Sequence, residues 1–98
     1  MDKREKAYLL LDGMINKLKM KKKHSSERNQ LLRNAIGLKF KLIRLEKNIT
    51  AEAVVQDNKE VLSDVHSLYK FEQGTFHFGK LYALANYYKV DANDLFKL

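Results

Sequence analysis

Apolar positions recur along the chain at helical spacing almost from end to end, and strand-like alternation never persists. The first such stretch runs from about Lys3 to Lys22, where Ala7, Leu10, Leu11, Met14, Ile15 and Leu18 make one apolar stripe. His24, Ser25 and Ser26 interrupt it, and either serine suits the N-cap of the next helix. The second stretch, about Glu27 to Lys47, carries Leu32, Ala35, Ile36, Phe40 and Ile43, widened by Leu31, Leu38, Leu42 and Leu45. A helix that apolar packs on two sides. One side faces the core built by the later helices; the other faces the N-terminal helix or a second subunit.

Shorter elements come next. Asn48, Ile49 and Thr50 form a break, and Thr50 is a good N-cap for a helix over Ala51 to Asp57 with Ala53 and Val54 inward. Residues 57–60 are polar and turn-like. Ser63 or Asp64 caps a further helix to about Phe71, with Val65, Leu68 and Phe71 or Glu72 inward. Gly74 suits the left-handed position just past its end. Phe78 to Tyr88 reads as a helix with Leu81, Leu84, Ala85 and Tyr88 inward, and Asp91 caps a last turn from Ala92 to Phe96. Proline is absent and glycine occurs four times, so the usual breakers are scarce and the fold class is all-α.

Composition narrows the function. The 98 residues are 45% hydrophobic and 32% charged, as in a globular domain with one modest core rather than a disordered chain. The absence of cysteine excludes a disulfide scaffold, a thiolate zinc site and a cysteine nucleophile. His24, His66 and His77 are too scattered to predict a metal site. No nucleophile–base–acid arrangement and no glycine-rich phosphate loop is readable, so neither an enzyme nor a cofactor is expected. No apolar run reaches the ~18 residues of a membrane span and no secretory signal is evident, so the cytoplasm is the expected compartment.

Charge changes the picture most. The net charge is +7, which points to an anionic partner, most simply nucleic acid. Residues 1–35 hold 10 Lys+Arg against 4 Asp+Glu, whereas residues 36–98 hold 9 against 8. The excess therefore lies in the N-terminal third, densest at Lys17, Lys19, Lys21, Lys22 and Lys23. These lysines suit either phosphate contact or a solvated helix end. Tyr82, Tyr87 and Tyr88 read as core and rim rather than as a stacking platform.

From Ile36 onward a run of placed residues carries a resemblance. Ile36-Gly37, Phe40, Ile43-Arg44, Asn48-Ile49-Thr50, Glu52 and Val54 precede Leu68, Glu72 and Gly74. Leu81, Leu84-Ala85, Tyr88, Val90, Asp94 and Leu95-Phe96 come after them. In order and spacing this series resembles the Cro/C1-type, or XRE, helix-turn-helix family. The resemblance starts at about Ile36 and implies a five-helix domain, placed over 26–98. Residues 1–35 lie outside it, and the basic amphipathic helix over 1–25 would, by its own stripe and charge, serve dimerisation or phosphate contact.

The resemblance also implies a cytoplasmic transcriptional regulator, most simply a small repressor, that binds double-stranded DNA as a homodimer. The helix at about 64–72 would lie in the major groove with Val65, His66, Ser67 and Lys70 facing bases. Thr50, Tyr69, Gln73 and Thr75 would meet the backbone; outside the resemblance, the charge of Lys17, Lys19, Lys21, Lys22 and Lys23 would add phosphate contacts. Arg44 and Glu72 would form a structural ion pair. Four departures from the family are visible. Thr50 to Glu72 is three residues longer than usual, the family's turn glycine is replaced near Lys59, Ala51 replaces a common glutamine, and the loop from Glu72 to Leu81 is two residues shorter. The competing reading is the same fold used as a protein-interaction module: an antirepressor, adaptor, inhibitor or antitoxin that takes its partner through the N-terminal helix.

Overall fold

A computed structural model describes residues 2–20 and 26–97. It is all-helical, with six helices and no strand among the described residues: α1 Lys3–Met20, α2 Ser26–Glu46, α3 Ala51–Asp57, α4 Val65–Glu72, α5 Phe78–Tyr88 and α6 Ala92–Leu95. None of these helices is long and apolar enough to cross a membrane.

The helix ends obey local chemistry. Asp2 Oδ1 accepts from the Glu5 amide, Thr50 Oγ1 from Ala53, Asp64 Oδ1 from Ser67 and Asp91 Oδ1 from Asn93. Each satisfies an amide that the first helical turn leaves without a partner. At the end of α4 the Gly74 amide donates to the Phe71 carbonyl and the Thr75 amide to the Lys70 carbonyl, both at 3.0 Å. That is a Schellman closure, and it needs the left-handed backbone that Gly74 adopts at φ 102°. α2 and α5 close the same way through Asn48 and Lys89, both at positive φ.

α2 is the axis of the fold and buries two faces. One carries Ile36 and Phe40 into a core shared with Ala51, Val54, Leu62, Leu68, Phe71, Leu81, Leu84 and Tyr88. Phe40 and Phe71 meet edge to face with centroids 4.9 Å apart, a favoured aromatic geometry. The other face presents Ala35, Leu38 and Leu42 to Ala7, Leu11 and Leu18 of α1. The second side of α2 therefore meets the N-terminal helix of the same chain.

Several expectations shift. Leu10 is not inward but 57% exposed. It stands at the margin of the α1 stripe, and α1 packs on a single helix, so only a narrow arc is covered. In α3 it is Ala51, with Val54, that is buried, while Ala53 is half-buried. α1 is described to Met20, and Lys21, Lys22, Lys23, His24 and Ser25 lie outside the described residues. The longer segment 58–64 folds around a buried residue rather than looping out. Asn58 Nδ2 donates to the Val54 carbonyl, the Val61 and Leu62 amides donate to the Asn58 carbonyl, and Leu62 is fully buried. The Tyr87 hydroxyl donates to Asp57 Oδ2 at 2.8 Å and ties α5 to the start of this turn. As expected, Tyr88 is buried, Tyr87 half-buried and Tyr82 exposed.

Candidate nucleic-acid interface

α4 is held from within, which fixes the face it turns outward. Leu68, Phe71 and Glu72 are buried on one side. Arg44 Nε donates to Glu72 Oε2 at 2.8 Å and Arg44 Nη2 to Glu72 Oε1 at 3.1 Å, a two-pronged ion pair between α2 and α4. Burial alone would lower the Arg44 pKa. The hydrogen bond and charge of Glu72 outweigh it, and the net direction is upward, so the guanidinium stays charged. Beside this pair the two helices meet backbone to side-chain-free backbone at Gly37. A Cβ there would lie 2.6 Å from the Glu72 carbonyl oxygen.

The loop after α4 is clamped as well. Arg33 Nε donates to the Gly74 carbonyl at 3.2 Å, its Nη2 donates to the Phe76 carbonyl, and its guanidinium lies over the Phe76 ring. Asn34, with its amide nitrogen turned inward, donates to the Gln73 carbonyl at 2.9 Å. Phe76 is buried against Phe71. Periodicity carries no sign of Arg33 or Phe76 in these roles, because Arg33 sits at a polar position of α2 and Phe76 in a segment without a repeat.

The expected site residues fall in three groups. On α4 itself, His66 and Lys70 are exposed, and Ser67 is half-buried with its hydroxyl accepting from Lys80 Nζ at 3.5 Å. Val65 is half-buried and packs against the core, so it adds apolar surface at the helix start. Tyr69, Gln73 and Thr75 are exposed along and beyond the C-terminal half of α4. Thr50 is exposed at the start of α3, its hydroxyl engaged as the cap. Lys17 and Lys19 are exposed near the end of α1; Lys21, Lys22 and Lys23 fall outside the described residues.

Between α1 and α4 runs a groove of about 390 Å³, floored by Asn34, Leu38 and Lys41 of α2. Leu10 and Met14 form one wall; Tyr69, Glu72 and Gln73 form the other. Among the described residues no group of three or more histidine and carboxylate side chains is placed to hold a metal ion. Compared with known protein families, curated proteins and solved structures, the chain matches none of them.

Proposed function

We propose that α2–α6 form a Cro/C1-type helix-turn-helix unit and that the chain is a sequence-specific, double-stranded-DNA-binding transcriptional regulator, a small repressor acting as a dimer in the cytoplasm. The observation that carries the reading is the two-sidedness of α4. Its inner side is locked by Leu68, Phe71 and the Glu72–Arg44 pair, while its outer side offers His66, Ser67 and Lys70 beside Tyr69 and Gln73. A rigidly seated helix with donors on its free face is what major-groove readout requires. α3, capped by Thr50, packs against α4 as the first helix of such a pair. Lysine donates to guanine acceptors, and the +7 net charge supplies the non-specific attraction to phosphates.

Selection from a random duplex library on the purified full chain tests this. Enrichment of one motif, lost in the His66→Ala/Lys70→Ala double variant, is the expected result. Absence of any enriched duplex overturns it. The protein-interaction reading draws on Tyr8, Leu9 and Leu10, which are 44%, 58% and 57% exposed on α1. It is favoured if the double variant regulates as well as the wild type.

A further inference from the structure

We propose that Lys3, Lys6 and Lys41 form a second row of contacts to the DNA phosphates, beside the C-terminal half of α4. The inference rests on the DNA-binding reading above and adds residues that neither the motif pattern nor the dense lysine run at 17–23 singles out.

Lys3 and Lys6 of α1 line a hollow of about 190 Å³ together with Ala7, Leu10, Leu38 and Lys41. That hollow adjoins the groove walled by Tyr69 and Gln73, since Leu10, Leu38 and Lys41 line both. Lys41 therefore lines the groove together with Tyr69 and Gln73, and Lys3 and Lys6 extend the same rim one hollow further from α4. Lys3 and Lys6 are exposed and Lys41 is half-buried, and a lysine on an apolar rim of this kind can rest its stem there and keep its ammonium in water.

Among the described residues none of the three has an acidic partner. The ion pairs Arg44–Glu72 and Lys97–Asp94 lie elsewhere, and the one carboxylate lining the groove, Glu72, is already occupied by Arg44. Lys39, on the same helix as Lys41, makes the contrast. Its ammonium donates to the Leu95 and Lys97 carbonyls at 3.0 and 2.7 Å and closes the end of α6. Lys39 holds the fold together; Lys41 is left over for something outside it.

Three unpaired cations on one side of a helix that reads DNA match a phosphate strand in charge. Neutralising a phosphate releases condensed counterions, and each such contact contributes about 0.9 to the slope of log K against log salt concentration. The three lysines together should account for about 2 to 3 units of that slope.

The experiment measures salt dependence of duplex binding for three full-length proteins. These are the wild type, Lys3→Ala/Lys6→Ala/Lys41→Ala, and a charge-matched control, Lys59→Ala/Lys89→Ala/Lys97→Ala. Lys3, Lys6 and Lys41 lie in helices, where alanine is at least as favourable as lysine, and circular dichroism with thermal melting checks that each variant, the control included, folds. The expected outcome is a slope lower by about 2 to 3 units in the first variant alone, with the ranking of duplex sequences unchanged. Equal slopes in the wild type and the first variant, or equal losses in both variants, overturn the proposal and leave DNA binding standing. A wild type that shows no salt-dependent duplex binding overturns both, and that is seen before any variant is made.

Discussion

α2 carries one helix on each side, and two glycines show how differently the two are held. Gly37 lies where α2 crosses the end of α4, and a Cβ there would come within 2.6 Å of the Glu72 carbonyl oxygen and 2.7 Å of the Phe71 one. Gly13 lies in the middle of α1, and a Cβ there would meet nothing within 4 Å. At Gly37 the missing side chain is what permits the contact; at Gly13 it only loosens a helix. The α2–α4 seam is thus specified by close approach and a buried ion pair. The α1–α2 seam is specified by apolar burial, with Ala7, Leu11 and Leu18 against Ala35, Leu38 and Leu42. A helix that must present its outer face in one orientation needs the first kind of seam.

The largest expected effect breaks the first seam. Glu72→Ala leaves the Arg44 guanidinium buried without its partner, which costs about 3–5 kcal/mol. Urea unfolding monitored by circular dichroism reads this as a fall in the transition midpoint. A loss below about 1 kcal/mol would mean that the pair behaves as a surface ion pair and does not seat α4. Gly37→Ala comes next. The neighbours its Cβ would strike are backbone carbonyls, which cannot swing aside as a side chain can, so α2 and α4 must separate. Overpacking of this kind costs about 1–3 kcal/mol, and on the proposed DNA-binding function the variant should lose duplex affinity along with stability, because α4 shifts as a body.

How much of this is legible in the sequence depends on how local each feature is. Thr50, Asp91 and Gly74 declare their capping positions because cap chemistry is set within one turn, and Asp64 is one of two candidates for the same reason. The Arg44–Glu72 pair is reached only through a resemblance in spacing, not through any periodicity of its own. Leu62 escapes notice because it lies between the polar turn at 57–60 and the cap at 63–64, outside any helical repeat, yet it is fully buried. Helical periodicity marks Leu10 as core because it shows a stripe without its width, and the width depends on how many helices pack there. The concentration of charge in residues 1–35 is plain. Which lysines of α1 stand beside α4 is not, since that depends on the direction in which α1 runs along α2, and no local pattern encodes it.

The second seam responds in the opposite sense. Gly13→Ala should stabilise by about 0.5–1 kcal/mol, since alanine removes the backbone entropy penalty of a mid-helix glycine and the new methyl group strikes nothing. Measured beside Gly37→Ala, it turns the contrast into a sign: one alanine destabilises and the other stabilises. Two losses would show that α1 packs more tightly at Gly13 than the open space there implies.

The smallest effect at neutral pH tests how dry the first core is. The Tyr88 hydroxyl is buried and has no hydrogen-bond partner, and Tyr88 packs against Phe40. Tyr88→Phe therefore removes no bond and should change stability at pH 7 by less than about 1 kcal/mol. Burial first, and the charge of Glu72 second, push the Tyr88 phenol well above its ordinary ionisation range, while Arg44 acts weakly the other way. In the unfolded chain the same phenol ionises at about pH 10. A group whose pKa is raised by folding contributes stability that is complete below the unfolded value and declines as pH rises past it. Above about pH 10 the unfolded wild type sheds a proton that the fold retains, so unfolding is favoured by linkage. Phenylalanine has no such proton. The stability of Tyr88→Phe relative to wild type should stay level up to about pH 9 and then grow steadily through about pH 11 in matched urea titrations. Tyr87, half-buried and bonded to Asp57, titrates in both proteins, and its charge raises the Tyr88 phenol further, so it acts on the difference in the same direction. Parallel curves over that range would mean that water reaches the Tyr88 hydroxyl, and that the face of α2 holding α4 is no tighter than the face holding α1.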